Sequence, residues 1–399
     1  MFSFLRENGN FRNFWLGQVV SQVGDRIHTL AVIWLVYTWT RSGAALGLVL
    51  IAASLPSIIV SPWAGTLSDR LNRKHIAIAC DAARCVLVVA LSALASGDLL
   101  DMPVIVVITA LISLASSFFN PATLAMMPSI VPTRDLVRAN AVTQLSANAS
   151  GALGFLLGSG LIAVIGVPAA FLFNGLSFLA SALLIGKIVY QHRPCPRKAS
   201  FLSDLKDGWS AVRGIPPVSR IMGPLVVINF LFSSLSVLIP IFGEGVFKSG
   251  STGVGVLLAS FTCGMFLAAL ALTTFQPKAS MSLLVTGSLL LVGGCFIAMG
   301  LIQQLPLFVV ALAVVGLALN GANICLVAMF QRLIPGEVRG KFFSLLTAVS
   351  LSAQPLSFGI TGWLSDLVDP VAILLSCGAA LLMCSFLIYR IDELREQYV

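Results

Sequence analysis

The sequence has few charged residues for its length. It contains 24 lysine and arginine residues and 16 aspartate and glutamate residues among 399, so 10% of positions are charged. Soluble domains carry about 25%. Because 58% of the residues are hydrophobic, the chain has too little polar surface to enclose its apolar side chains in water. This composition excludes a soluble globular fold and predicts that lipid is the main solvent.

Motifs for disulfides, metals and covalent chemistry are also lacking. Seven of the eight cysteines lie in apolar runs and Cys195 lies in a basic segment, and none has the spacing of a metal site. Gly24 and Asp25 lack the first glycine of the GxGD motif of intramembrane proteases, since position 22 is Gln22. Residues 1–17 lack the features of a signal peptide. We therefore expect no enzyme activity, no cofactor and no metal site.

Long apolar runs are abundant, and short connections rich in charge, glycine or proline separate them. Since about 20 apolar residues cross a bilayer as a helix, these runs predict an all-α membrane protein with twelve transmembrane helices. The predicted spans are residues 13–37, 44–66, 75–96, 103–127, 140–165, 168–189, 221–243, 252–274, 280–301, 306–331, 341–364 and 370–390.

The longest connection, residues 190–219, divides the predicted spans into two sets of six. It contains a short amphipathic stretch that we expect to lie as a helix on the inner membrane surface. The predicted domains are therefore a six-helix half (residues 1–189), a cytoplasmic linker and a second six-helix half (residues 220–399). Residues 125–132 also align without gaps on residues 328–335, and such an internal repeat is typical of transporters.

Basic residues are distributed unevenly between the predicted connections. If the N-terminus is inside, the inner side holds 20 of the 24 basic residues, and the outer connections hold only Arg41 and Lys248. The positive-inside rule then predicts that both termini are cytoplasmic in a multi-pass protein of the cytoplasmic (inner) membrane. The same distribution accounts for the net charge of +8 without a nucleic-acid partner.

Polar side chains recur at helical spacing inside several predicted spans. In the first span, Gln18, Gln22, Asp25 and Thr29 lie within about 60° of one another around the helix. Such stripes either join neighbouring helices by hydrogen bonds or line a water-filled cavity. The second interpretation predicts a substrate cavity that is lined by Gln18, Gln22, Asn120, Gln144, Asn148, Asn229, Asn320, Asn323 and Gln354.

Asp25 lies near the middle of the first span, where an ionised carboxylate costs about 3 kcal/mol and needs a partner or a proton. Arg26, His28 and Arg84 are the candidate partners. A buried carboxylate beside a cation is suited to proton coupling, and the alternative is a permanent structural pair with an arginine. Asp81 and Arg84, three residues apart on the third span and nearer the inner face, are interpreted as structural.

The connection between the second and third spans reads GTLSDRLNRK over residues 65–74. It resembles the GxLaDRxGRK signature of the major facilitator superfamily, with Asn72 where glycine is usual. Residues 118–140 and 168–183 look like the branch that holds macrolide-efflux proteins and the enterobactin exporter. The resemblance implies that a conformational latch lies at the inner gate and that Gly65 allows close helix approach there. The latch residues are Gly65, Asp69, Arg70, Arg73 and Lys74.

Besides Asn72, this chain departs from that family at three places. Residues 275–280, the equivalent turn of the second half, lack the acid and most of the bases. Residues 103–127 contain no arginine, although drug–proton antiporters of the superfamily often carry one in the fourth span. Phe155 stands where their fifth span has a proline, although its glycines remain and form a small face for close packing.

We therefore expect a secondary transporter that works by alternating access. The resemblance implies export of an amphipathic drug or siderophore-like small molecule in exchange for protons, by a monomer in the lipid bilayer. An importer or a lipid-handling transporter of the same fold is the first alternative. A receptor or scaffold that transports nothing is the second, and it would have no use for Asp25.

Overall fold

The structure, a computed structural model, describes residues 8–190, 216–274, 280–334 and 336–391, together with Leu5 and Trp209. The side chains of Thr66, Asp69, Pro216, Pro217, Gly336 and Glu337 lie outside this description. Within the described ranges, twelve helices are long and apolar enough to cross a membrane, which confirms the predicted all-α membrane fold. The predicted amphipathic linker helix and the turn at residues 275–279 lie outside the described residues, apart from Trp209.

The twelve helices are numbered in chain order. They are α1 (Gly9–Thr40), α2 (Gly43–Arg70), α3 (Arg73–Ser96), α4 (Met102–Ile130), α5 (Leu136–Val164), α6 (Val167–Gly186), α7 (Pro216–Ser233, Leu235–Pro240 and the π-helical turn Ile241–Val246), α8 (Gly250–Thr274), α9 (Met281–Leu301), α10 (Leu305–Leu333), α11 (Gly336–Ser365) and α12 (Pro370–Tyr389).

Short polar side chains begin several of these helices. Asn72 accepts a hydrogen bond of 3.0 Å from the backbone N–H of Lys74 at the start of α3. Asp101 accepts one of 3.0 Å from Val104 at the start of α4. Such caps satisfy backbone donors that have no partner inside the helix. Asn72, the one departure from the superfamily signature, therefore serves as the cap that starts α3.

The chain forms two compact units. Unit 1 comprises Met1–Thr40, Leu48–Lys198 and Ser249–Ala259, and unit 2 comprises Arg41–Gly47, Ala199–Lys248 and Ser260–Val399. In unit 1, α1 packs against α5 and α6, and α3 packs against α4 and α6. In unit 2, α7 packs against α11 and α12, and α9 packs against α10 and α12. The two sets of pairings are the same when six is added to each helix number.

Glycines allow α1 and α5 to approach closely in unit 1. A Cβ atom added to Gly158 would lie 3.0 Å from the Cα atom of Ile27, and one added to Gly154 would lie 2.6 Å from the Cβ atom of Arg26. The distance at Gly154 leaves no room for a side chain and the distance at Gly158 is shorter than most Cβ contacts, so the small face of α5 is the surface on which α1 packs. This contact fixes the position of the helix that carries Asp25.

The first turn of α2 is held inside unit 2 by Asp366, which follows α11. The carboxylate of Asp366 accepts hydrogen bonds from Ser42 Oγ (2.6 Å), Gly43 N (2.6 Å) and Ala44 N (3.1 Å). Arg41, directly before this turn, forms a 3.1 Å ion pair with Glu244. An acidic side chain at a helix N-terminus satisfies unpaired N–H groups and interacts favourably with the helix dipole.

Asp366→Ala should lower the free energy of unfolding by about 1–2 kcal/mol, because it removes a charged cap and three hydrogen bonds at once. The measurement is the melting temperature of the purified protein in detergent. Asp101→Ala is the matched control, since that side chain accepts one backbone hydrogen bond in the described structure. Equal losses in the two variants would show that the additional bonds to Asp366 contribute nothing.

Candidate functional site

Arg84 of α3 is almost fully buried, with 3% of its surface exposed. Its Nη2 atom donates to Oδ1 of Asp81, one turn earlier on the same helix. The guanidinium carbon lies 4.1 Å from the ring centroid of Phe119 in α4 and 4.3 Å from that of Phe178 in α6. One carboxylate and two aromatic faces therefore hold this cation where water cannot solvate it. We call Asp25, Asp81 and Arg84 the charge cluster.

Asp25 of α1 is the third member of the charge cluster. Its half-buried carboxylate lies beside Asn174 of α6. Two cations act on it electrostatically, and the effect of Arg84 is larger than that of Arg26. Asp25 forms no ion pair with any residue that the structure describes, whereas Asp81 does. Asp81 is also an electrostatic neighbour of Asp25, so the two carboxylates share one buried arginine. If both carboxylates are ionised, the charge cluster has one more negative charge than positive charge.

Buried polar atoms are concentrated on α1, α3, α4 and α6, which pack together around the charge cluster. Besides Nδ1 of His28, eight of them have no hydrogen-bond partner within the described ranges. Each such group costs about 1–3 kcal/mol if it stays unpaired, so this set is more than a dry packing seam requires. The atoms are Gln18 Nε2, Gln22 Oε1, Asp81 Oδ2, Arg84 Nε, Thr109 Oγ1, Ser113 Oγ, Asn174 Nδ2 and Ser181 Oγ.

The other two residues predicted for proton coupling lie against aromatic rings. The guanidinium of Arg26 is exposed and lies 5.9 Å from the ring centroid of Phe155 in α5, although Arg26 still acts electrostatically on Asp25. The imidazole of His28 is buried, with its centroid 5.3 Å from that of Phe171 in α6. The structure thus brings Asp25 and Arg84 together in one cluster and leaves Arg26 and His28 at its margin.

Sequence reasoning missed three residues of α6 and the two aromatic rings of this site. Asn174 and Ser181 face the two carboxylates, and Ser177 donates to Asn174 Oδ1 at 3.0 Å. These three positions are spaced i, i+3 and i+7, so the helical spacing that marks the other polar stripes is also present in the sixth span. Phe119 and Phe178 are two of 25 phenylalanines and carry no signal of their own.

The basic residues of the predicted latch bond within unit 1. Arg73 donates from Nη1 to the carbonyl of Ala125 in α4 at 3.1 Å. Lys74 donates from Nζ to the carbonyls of Gly186 (2.7 Å) and Ile188 (2.8 Å) at the end of α6. A lysine at a helix C-terminus satisfies free carbonyls and is attracted by the negative end of the helix dipole. In this structure both residues therefore join α3 to neighbouring helices.

The other three latch residues are Gly65, Asp69 and Arg70. Arg70 is exposed at the end of α2. A Cβ atom added to Gly65 would meet no described atom within 4 Å, so the described residues show no close helix approach at this glycine. The side chain of Asp69 lies outside the described residues. The role of these residues as a latch stays a prediction.

Three residues of the predicted substrate cavity meet in one pocket of unit 2. Asn229 of α7 and Asn320 and Asn323 of α10 line a cavity of about 260 Å³, which α8 and α9 complete. The remaining lining is mainly apolar and includes Phe232 and Phe261, whose ring centroids are 5.3 Å apart. No charged side chain lines this cavity among the residues that the structure describes. We call it the unit 2 pocket.

The remaining predicted cavity residues do not line the unit 2 pocket. Asn120 and Gln144 are exposed, and Asn148 and Gln354 are half-buried on α5 and α11. Gln18 and Gln22 precede Asp25 on α1, and each has an unpaired buried polar atom in the polar region of unit 1. Of the nine predicted residues, two thus lie in the polar region of unit 1, three line the unit 2 pocket and four belong to neither.

Comparison with known proteins gives matches over nearly the whole chain. A sequence family described as transmembrane secretion effector matches residues 2–397. Macrolide efflux protein A of Streptococcus pyogenes is 25% identical, over 97% of this chain and 96% of that protein. The enterobactin exporter of Escherichia coli is 26% identical, over 99% and 94% respectively. The multidrug efflux pump Tap of Mycolicibacterium fortuitum is 23% identical, over 94% and 93%.

Solved structures show the same fold at lower identity. A POT family transporter in complex with a thioalcohol-conjugated peptide has a TM-score of 0.75 and 10% identity, over 97% of this chain and 96% of that one. A bacterial homologue of the lysosomal transporter Spinster, in an inward-facing and occupied conformation, has a TM-score of 0.72 and 16% identity, over 96% of both chains. At these identities the comparison shows the fold alone.

Proposed function

Because the chain belongs to the transmembrane secretion effector family of the major facilitator superfamily, and is thus a multi-pass membrane transporter and not an enzyme, we propose that it exports an amphipathic small molecule in exchange for protons. It works by alternating access in the cytoplasmic membrane. Its partners are the small-molecule substrate, protons and the lipid bilayer, and it acts as a monomer without a nucleic-acid partner.

The charge cluster is the observation that carries this proposal. Arg84 is fixed between two aromatic rings and is bonded to Asp81, so neither Arg84 nor Asp81 is suited to exchange a proton freely. Arg84 also acts electrostatically on Asp25, which has no ion pair of its own among the described residues. A proton on Asp25 would make the cluster neutral, and its release would restore the negative charge. Asp25 is therefore the carboxylate that carries the coupled proton.

The position of Arg84 bears on the missing arginine of the fourth span. Drug–proton antiporters that the sequence resembles often carry an arginine there, and here the guanidinium of Arg84 reaches Phe119 of α4 from α3. A cation from the third span thus stands beside the fourth. We propose that Arg84 supplies the positive charge that stabilises Asp25 after it releases its proton.

Export is the direction that the relatives favour. The three relatives named above are described as efflux proteins or an exporter, and their matches extend over at least 93% of this chain and of each relative. The unit 2 pocket adds apolar walls with a few amide groups, which suit an amphipathic molecule.

We propose that a latch controls the inner gate of this transporter, as the resemblance implies. Its residues are Gly65, Asp69, Arg70, Arg73 and Lys74.

Substrate-dependent proton movement in proteoliposomes tests this function. Purified protein is reconstituted with a pH-sensitive dye, and a macrolide, a cationic dye and a catecholate siderophore are added one at a time. We expect at least one compound to move against its own gradient when a proton gradient is imposed, and this movement should stop when a protonophore collapses the gradient. Substrate accumulation that persists with the protonophore would contradict proton coupling.

A further inference from the structure

The unit 2 pocket differs from the charge cluster in having no titratable group in its described lining. Its lining residues come from α7, α8, α9 and α10, and all of these residues belong to unit 2. We infer that this pocket is a binding subsite for an uncharged, hydroxyl-bearing part of the exported molecule, which enters with its apolar side against the phenylalanines. The inference rests on the proposed function, because it presupposes an exported substrate.

The amide groups of the pocket determine which hydrogen-bonding groups it can recognise. The Nδ2 atom of Asn229 donates to the carbonyl of Leu225 at 2.8 Å, and that of Asn320 donates to the carbonyl of Met265 at 2.7 Å. Only the NH₂ group of an amide can donate to a carbonyl, so these contacts fix which end of each side chain is used. The carbonyl ends of both amides remain, and they accept hydrogen bonds. A ligand that offers hydroxyl or N–H donors matches them.

The walls of the pocket set the rest of the chemistry. Phe232 and Phe261 form an aromatic pair on one side, and Met265, Leu289 and Leu326 add flexible apolar surface. With no charged side chain in the described lining, nothing here compensates the cost of removing an ion from water. The pocket therefore selects a neutral group.

The size of the pocket indicates that it holds part of a molecule. Its volume of about 260 Å³ is below the range of about 300–1,000 Å³ that encloses a whole drug-sized ligand. Asn320 also fixes α10 against α8 through its bond to Met265, so the cavity is formed before a ligand enters. A preformed cavity of this size fits one sugar or one substituted ring of a larger amphipathic molecule.

The test is equilibrium binding of a radiolabelled macrolide to purified protein, without any proton gradient. Ser288 lines the pocket, and Leu290 on the same helix is half exposed on another face. Ser288→Trp should fill the cavity and raise the Kd at least tenfold, whereas Leu290→Trp, the matched control, should leave the Kd within twofold. Wild-type protein that binds no macrolide, or a Ser288→Trp variant that binds like the wild type, would overturn the inference.

A second variant covers the case in which Ser288→Trp folds poorly. Asn323 lines the pocket and is exposed, so Asn323→Leu should leave the fold unchanged. The wild type should prefer a macrolide with free hydroxyl groups over the same macrolide with those groups methylated, and Asn323→Leu should reduce that preference at least threefold. An unchanged preference would contradict the inference. Failure of proton coupling leaves these binding values unaffected, so the two proposals are tested separately.

Discussion

Asp25→Asn is expected to abolish accumulation of substrate against its gradient while leaving substrate binding and downhill exchange in part intact. A neutral amide can neither take up nor release the proton that we assign to this position, so transport loses its link to the proton gradient. Asparagine keeps the shape and hydrogen-bonding capacity of the side chain. Uptake into proteoliposomes with and without a proton gradient measures both effects.

The competing structural interpretation of Asp25 makes a different prediction for the same variant. If Asp25 were the permanent partner of an arginine, its loss would leave a buried cation and cost about 3–5 kcal/mol. Arg84, however, keeps Asp81, Phe119 and Phe178 when Asp25 is neutral. We therefore expect little change in melting temperature. Asp98→Asn, in the exposed connection before α4, is the control for removing one acidic charge.

A stable Asp25→Asn protein that still concentrates substrate would eliminate Asp25 as the coupling site. A variant that unfolds would instead support the structural pair. The two measurements are independent, because melting temperature needs no substrate and exchange needs no gradient. Transport at the wild-type level under both conditions would also remove the main support for proton coupling.

Arg84→Gln is expected to destabilise the protein by about 3–5 kcal/mol, which would prevent most of it from folding. Asp81 is completely buried, and Arg84 is its ion-pair partner in the described structure. Removing the cation leaves a carboxylate without compensation in a medium that solvates it poorly. The measurements are the yield of monodisperse protein and its melting temperature in detergent.

The double variant Asp81→Asn with Arg84→Gln is the control for this prediction. It removes both charges together, and asparagine and glutamine can still form a hydrogen bond between positions three residues apart. We expect most of the lost stability to return, since replacing a buried pair costs far less than breaking it. A double variant as unstable as Arg84→Gln alone would show that packing of the guanidinium between the two phenyl rings is the larger contribution.

The fold could be predicted from the sequence because the bilayer imposes one simple rule. Each crossing needs about 20 apolar residues with every backbone group bonded within the helix, and the twelve apolar runs stand out in this chain. Several helices extend past those runs, as α1 does from residue 13 back to Gly9, because hydropathy does not mark where a helix ends in water. The predicted number of twelve membrane-spanning helices is confirmed, and the observed helix bounds differ from the predicted ones by a few residues.

The candidate site could be predicted only in part. Asp25 and the polar stripes follow from the helical period, which a sequence contains. The contact of Arg84 with Phe119 and Phe178 depends on how α3, α4 and α6 cross, which no single stretch of sequence contains. The predicted span limits place Asp81 nearer the inner face, and they contain no information on which side chains meet. In the structure it shares Arg84 with Asp25.

Because Asp366 caps α2, expressing the two six-helix halves as separate fragments would part residues that contact one another. Arg41–Gly47 are encoded in the first half of the chain but belong to unit 2, and Ser249–Ala259 are encoded in the second half but belong to unit 1. A fragment of residues 220–399 therefore carries Asp366 without the helix start that it caps. Each separately expressed half lacks a piece of its own compact unit, so two such fragments complete one another only when both are present in the same membrane.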